Sequence, residues 1–418
     1  MKKILSVFLA AATAAMAVSL GACSGENQSE SSEPVSSSSE ESVVSQVSER
    51  PETQGQQLEV SASDSVPALT TAQITEFSEK IDGYSKIPSF NYKAPKINAA
   101  EIAADKGVTL VTKNSTNSYY SLYENTFKTA AKNIGFKDVN IAETDGNISS
   151  LNDGLISAAD KGSDFVILEG DINKGSVSGY IELTQANGIE VFSAESRGIK
   201  EKDYFVDYTV PINYELIGEL MADWGIVKTE GKINALAVNC TGSPLSDTIF
   251  KGFKAEFEKN VSKQNGYCTT INASSIEVGT ALSSKIKKAL QDDSNINYIF
   301  VFDEAAIGDA IKAAASADNV KVVATGGSKE AFDYTQSGNL DMLVSRSYEW
   351  TAYAVMDYSL RIMSGAPNTP DQMYVPFRLV TKDVIEKEIK DYTGTFDGFY
   401  EICFGAEYIK GYRDLWQL

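Results

Sequence analysis

From residue 107 onward, short apolar runs alternate with longer stretches in which apolar residues recur every three to four positions. Val108–Val111, Val139–Ala142, Phe165–Leu168 and Ile189–Ser193 have the length and composition of buried strands. Tyr119–Ile134, Ile148–Ala159 and Tyr180–Ala186 between them carry helical spacing. A second series has the same order: helix Tyr214–Val227, strand Ile233–Val238, helix Ser246–Phe257, strand Tyr267–Ile271 and helix Val278–Leu290. Strand Tyr298–Phe302, helix Ala305–Ala315 and strand Val320–Ala324 complete it. Strands alternating with helices of this length predict βαβ units, hence parallel sheets with helices on both faces.

Tyr204–Thr209, Met342–Ser345 and Tyr374–Val380 read as extended crossings between the two series, with Tyr353–Met363 an amphipathic helix. The expected fold is therefore α/β: two similar three-layer, doubly wound parallel-sheet domains joined by a three-strand hinge. The expected boundaries are 107–208 plus 346–376 for the N-terminal lobe and 209–345 plus 377–418 for the C-terminal lobe and tail, with 66–106 as a lead-in. Open parallel sheets bind ligands beyond the carboxyl ends of their strands. Two such domains facing each other place one cleft between two sets of strand-end loops.

The N-terminus has a different pattern. Lys2 and Lys3 precede the apolar run Ile4–Leu20, which ends in small residues and reads as a secretory signal. Leu20-Gly21-Ala22-Cys23 resembles the lipobox of bacterial lipoproteins, which implies removal of residues 1–22 and lipid on Cys23. Residues 24–50 hold eleven serines and six glutamates with one basic residue, Arg50. Such a segment has too little to bury to offset the entropy of ordering, so residues 23–65 are expected to be a disordered tether.

Charge and composition then narrow the chemistry. The 418 residues contain 37 Lys+Arg and 57 Asp+Glu, a formal charge of −20, which argues against a nucleic-acid partner. Histidine is absent, which removes Ser-His-Asp and Cys-His nucleophiles and the HExxH zinc site. No GxxxxGK[ST] or strand-linked GxGxxG occurs, so nucleotide chemistry lacks a motif. Ser284-Lys285-Ile286-Lys287 fits Ser-x-x-Lys without its companion motifs and reads as a solvated helix face. Besides Cys23 there are Cys240, Cys268 and Cys403, an odd number best read as buried apolar residues. No metal, cofactor or catalytic residue is expected.

Several ordered segments carry a family resemblance. They are Thr116-Asn117-Ser118-Tyr119-Tyr120, Phe165-Val166-Ile167-Leu168-Glu169 with Gly188-Ile189, Gly242 to Phe253, Phe300 to Ala306, and Val322-Val323-Ala324-Thr325-Gly326-Gly327. Over residues 107 to about 380 the chain resembles the type I periplasmic-binding-protein fold, specifically the ribose-binding-protein-like substrate-binding proteins of ABC importers. Ala94-Pro95-Lys96-Ile97-Asn98-Ala99-Ala100 resembles the lead-in of one lipoprotein branch.

The resemblance implies candidate contacts. Asn117, Tyr119 and Tyr120 hold the amide and aromatic positions of the family's first loop, although one tyrosine could simply pack under the helix. Glu169 follows the third strand where the family has Asn or another polar residue. Glu195-Ser196-Arg197 stands where sugar binders carry Asp-Arg; Glu195 and Arg197 could serve a ligand or form a surface ion pair. In the second domain Asp303 matches a family Asn/Asp, Arg346 replaces a hinge Gln, and Trp350 faces either cleft or core. Asp247 or Ser246 reads as a helix N-cap, Glu304 as a helix-start charge, and Gly326 as the loss of a family Asp.

The function implied is capture of a small polar ligand, a sugar or sugar-like molecule, and delivery to an ABC permease. The protein would be an extracytoplasmic monomer held to the bacterial cell membrane by its lipid alone. A sensory lipoprotein presenting ligand to a membrane kinase or chemoreceptor is the alternative. A hydrolase using Glu169 with Glu195 is a more distant one.

Overall fold

The computed structural model describes residues 60–61, 66–198, 205–367, 375–388 and 403–418, with side chains left aside at 60–61 and 196–198. The signal sequence, Cys23, the tether up to residue 59 and the Arg197 side chain lie outside that description.

The described chain starts with strand β1 (Val60–Ser61), helix α1 (Thr71–Tyr84) and the short α2 (Ala99–Ala103). The first domain follows: β2 (Gly107–Thr112), α3 (Ser118–Ile134), β3 (Asp138–Ala142), α4 (Ile148–Asp160), β4 (Phe165–Glu169), α5 (Lys174–Ala186), β5 (Glu190–Gly198) and β6 (Tyr208–Ile212). The sheet order is β3-β2-β4-β5-β6, and every pairing is parallel. Alternation along β4 shows why the strand is apolar throughout. Phe165 and Ile167 join the core containing Tyr123 and Phe127, while Val166 and Leu168 join a separate core with Leu151, Leu155, Val177 and Ile181. Each sheet face is covered, as a parallel sheet requires.

The second domain runs α6 (Tyr214–Lys228), β7 (Asn234–Cys240), α7 (Pro244–Asn260), β8 (Tyr267–Ala273), α8 (Leu282–Asp292) and β9 (Tyr298–Val301). After a 3₁₀ turn at Glu304–Ala306 come α9 (Ile307–Ala314), β10 (Lys321–Gly326), α10 (Lys329–Ser337) and β11 (Met342–Arg346). Helix α11 (Tyr348–Ser364), β12 (Phe377–Val380), α12 (Lys382–Glu388) and α13 (Glu407–Trp416) close the chain. The second sheet has the order β1-β8-β7-β9-β10-β11-β12, with antiparallel strands at both edges. Its five central strands repeat the order of the first sheet, so the two doubly wound domains are alike. Helices α6 and α7 cross at Gly218 and Gly252, where a Cβ would fall 2.0 Å from the Ile249 carbonyl oxygen and 2.1 Å from that of Glu215.

The expected boundaries shift in three places. Strand β6 hydrogen-bonds to β5, so the first crossing comes after Ile212 and not at residue 208. The lead-in serves both domains. Helix α1 packs on α6 through the Lys80–Asp223 bond of 2.7 Å, whereas Tyr92 and Pro95 bond to α11, which packs on α3 in the first domain. The tail is divided as well. Helix α12 packs on α10 in the second domain, but α13 docks on α11, with Trp416 donating to Asp357 at 2.8 Å. An amphipathic helix goes wherever its apolar stripe finds a partner, and Tyr408, Tyr412 and Trp416 meet aromatic rings on α11 and the lead-in. Val60–Ser61, assigned to the tether, adds an edge strand to β8.

Fully buried Arg378 on β12 ties these additions together, donating to the Ser85 carbonyl at 3.0 Å and the Cys403 carbonyl at 2.7 Å. Cys240, Cys268 and Cys403 are buried free thiols, each pushed up to about 12 by burial.

Candidate functional site

The carboxyl ends of both sheets point toward each other, and the loops leaving them form the walls of one cleft. The walls meet at two points. Ser243, after β7, donates to Asp171, after β4, at 2.7 Å. At the start of α10 the Lys329 N–H donates to Ser118 Oγ at 3.3 Å, and Ser118 Oγ donates to Glu330 at 3.5 Å. Between them lies a cavity of about 410 Å³. Its volume falls inside the roughly 300–1,000 Å³ range of small-molecule sites. The first domain supplies Lys113, Asp171 and Asn173, and the second supplies Thr241, Ser243 and Asp303, among others.

Each of these residues follows a strand directly or by a short turn, so the chain delivers polar groups there by topology. The Lys113 ammonium stands 3.9 Å from Asp171. Burial raises the Asp171 carboxyl, and Lys113 and the Ser243 hydroxyl oppose that rise. Asp303 also accepts from the Ala305 N–H at 3.0 Å, which starts the 3₁₀ turn.

Next to the cavity is a buried cluster, linked to it because Asp171 acts electrostatically on Tyr120 and Tyr214. Four of the residues named by sequence belong to it: Tyr119, Tyr120, Glu195 and Arg346. Tyr119 Oη donates to Glu195 Oε1, and Thr351 Oγ1 donates to the same oxygen at 3.3 Å. Arg346 Nη1 donates to Glu195 Oε2 at 3.2 Å and to the Tyr214 hydroxyl at 3.3 Å, while Tyr214 donates to the Glu195 carbonyl at 2.7 Å. The β5–β6 register shifts between Ala194 and Gly198, and Glu195 takes φ +55°, a conformation disfavoured for a side-chain-bearing residue. Strain of this kind persists where surrounding contacts over-determine it, and here four polar groups do so. Tyr120 lies over Gly170, where a Cβ would come within 2.5 Å of its hydroxyl.

Glu169 stands apart. It is fully buried, and neither carboxyl oxygen has a hydrogen-bond partner. Burial drives its carboxyl well above the usual range, Glu195 adds to the rise, and Arg346 and the nearby Tyr123 hydroxyl oppose it. Arg346 Nε is likewise buried without a partner.

Other expected contacts lie elsewhere. Asn117 caps α3, accepting from the Tyr119 N–H at 2.8 Å. Trp350 is turned away from the cleft and stacks on Tyr408 of α13, ring centroids 4.6 Å apart, because the tail helix offers its ring a dry partner. Arg197 stands on the last turn of β5 in sequence, with its side chain outside the described residues. The α7 cap is Ser243, with Pro244 following, and not Ser246 or Asp247. Ser246 Oγ instead donates to Asn239 at 2.9 Å, and Asp247 accepts from the Asn239 amide at 2.8 Å.

Glu304 makes good the acid that Gly326 lacks. A Cβ at 326 would sit 2.6 Å from its carboxyl carbon, and the carboxylate accepts from the Gly327 and Ser328 N–H groups. The sequence reading also passed over Lys113, Asp171, Asn173, Thr241, Ser243 and Tyr214. The strand-end rule pointed to the first five, while Tyr214 reaches the cluster from the start of the helix that follows β6. Among the described residues no three metal-ligating side chains cluster, and no helix is long and apolar enough to cross a membrane.

Comparison with known proteins fits this geometry. No curated protein matches the chain. A glucose-galactose binding protein, GanP, from Geobacillus stearothermophilus superposes with TM-score 0.57 at 16% identity, covering 67% of this chain and 98% of its own. The arabinose binding protein AraP of the same organism gives 0.57 at 15% identity, over 68% and 98%. The XylFII–LytSN complex gives 0.53 at 16% identity, over 67% and 98%. The periplasmic binding protein domain family matches residues 108–367, more than half of the sequence, and the chain belongs to that family.

Proposed function

We propose that this protein is the solute-binding component of an ABC importer, which closes its two domains on a small polar ligand, a sugar or sugar-like molecule, and carries it to a permease. The carrying observation is the cavity of about 410 Å³ whose walls come from strand-end loops of both domains and whose rims already touch. Structural relatives that bind glucose and galactose or arabinose support the sugar class. The work is binding and release without catalysis: Glu195, the carboxylate a hydrolase would need, is engaged by Arg346, Tyr119 and Thr351. Anchoring through lipid on Cys23, outside the membrane and on one monomer, completes the reading.

A ligand held only by the folded state stabilises it by RT ln(1 + [L]/Kd), about 2.7 kcal/mol at a hundredfold excess over Kd. Thermal-shift screening of neutral and modified sugars on ligand-stripped protein is expected to give saturable rises in melting temperature. A broad panel without one rejects the proposal.

A partner other than a permease is the second reading, favoured by the relative that stands in a complex with a second protein, LytSN. Ligand-dependent pull-down of a membrane kinase or chemoreceptor, with no transport defect on deleting the protein, would select it.

A further inference from the structure

Resting on the sugar-binding reading, we propose that the cleft is built for a ligand carrying a positive charge, an amine-bearing sugar or a similar polar amine. The argument is one of charge balance in a dry place. Among the described side chains, the cavity and the adjoining cluster hold the carboxyls of Glu169, Asp171, Glu195 and Asp303 against Arg346 and Lys113. Glu304 adds a fifth acid, satisfied by two backbone N–H groups. Arg346 is committed to Glu195 and Lys113 stands by Asp171, so Glu169 and Asp303 are left without a cation.

Glu169 decides the sign. It is wholly buried, and its oxygens are without hydrogen-bond partners, so the protein has placed an acceptor in its interior and left it unanswered. A buried carboxyl with no partner is costly when ionised and is stabilised by a nearby cation. Facing it are Tyr119 and Tyr123 from α3, Glu195 from β5 and Arg346 from β11, of which Arg346 alone is cationic. An ammonium in the cavity would sit against Asp303 and Asp171 directly and act on Glu169 through a low-dielectric wall, where charge is weakly screened. An anionic ligand would meet the same acids as repulsion. The cavity wall nearest the second domain, with Thr241 and Ser243, leaves hydroxyl partners for the rest of a sugar ring.

The test is calorimetric titration of the intact chain with D-glucosamine and D-galactosamine, alongside D-glucose, D-galactose and N-acetyl-D-glucosamine. The acetylated sugar keeps the nitrogen and removes its charge. The amines are expected to bind at least about tenfold more tightly than their neutral counterparts. Asp303→Asn, which keeps an oxygen for the Ala305 N–H, and Glu169→Gln are each expected to shrink that preference by several fold. Neutral sugars binding as tightly as the amines, or a preference unchanged in both variants, overturns the charge assignment and leaves sugar binding standing. Absence of saturable binding by every probe overturns sugar binding itself and this inference with it.

Discussion

Two buried arginine–carboxylate groups in this protein are built in opposite ways. On α11, Asp357 accepts from Arg361 Nε at 2.8 Å and Nη2 at 3.1 Å, from Tyr92 at 3.1 Å and from Trp416 at 2.8 Å. Arg361 spends a further donor on the Pro95 carbonyl at 2.8 Å. At the cleft, Arg346 meets Glu195 through one nitrogen at 3.2 Å, keeps Nε unpaired, and has unpartnered Glu169 as a neighbour. Asp223 lies between these extremes: one oxygen bonds Lys80 at 2.7 Å and the other has no partner. A buried polar group is inexpensive when every lone pair is answered and costly when it is not. The saturated cluster fastens lead-in, α11 and tail to one another. The unsaturated one sits where the ligand is proposed to bind.

The comparison breaks first at Asp357. Asp357→Ala strips the acceptor from three donors and leaves a buried guanidinium unpaired, so urea unfolding is expected to show a loss of about 3–5 kcal/mol. A loss below about 1 kcal/mol would mean the cluster fastens nothing.

Asp223 gives the intermediate effect, read through pH. Burial, the largest cause, raises its carboxyl from 3.8 to about 6, against the pull of Lys80. The folded protein therefore holds a proton that the unfolded chain has released between about pH 4 and pH 6. Stability from this group is full below about pH 4 and is lost as pH rises through about 6, a change of about 2–3 kcal/mol. Asp223→Asn is expected to flatten that stretch of the stability–pH curve, and an unaltered slope refutes the assignment.

Glu169 is expected to give the smallest change. Glu169→Gln removes a charge that nothing in the apo cleft answers, so stability at pH 7 is expected to stay within about 1 kcal/mol, on the stabilising side. A cost above about 2 kcal/mol would place Glu169 with Asp357 among the fastenings and sharpen the contrast differently.

Much of the fold is legible in the chain because its signals are local. The apolar runs at Val108, Phe165, Ile233 and Tyr298 are strands, and their order repeats, since each must bury both faces of a parallel sheet. Helices α1, α10 and α13 escaped. Each has an apolar stripe too narrow to stand out against polar neighbours, and α13 is held by distant rings such as Trp350 and Phe90. Trp350 shows the cost at the site. Its position at the start of α11 pointed to the cleft, and a helix some sixty residues later claimed its ring.

By itself the sequence determined the alternation of strands and helices, the doubling of the domain, and which loops leave the carboxyl ends of the strands. Those follow from periodicity and the twist of parallel sheets, which act over a few residues at a time. Tertiary structure alone decided which polar groups answer one another. It gave Glu195 to Arg346 across 151 positions, set Glu304 over Gly326, and joined lead-in and tail through Arg378. It also left Glu169 unanswered. Hydrogen bonds and buried charges depend on ångström-scale placement between remote segments, and no local pattern encodes that distance.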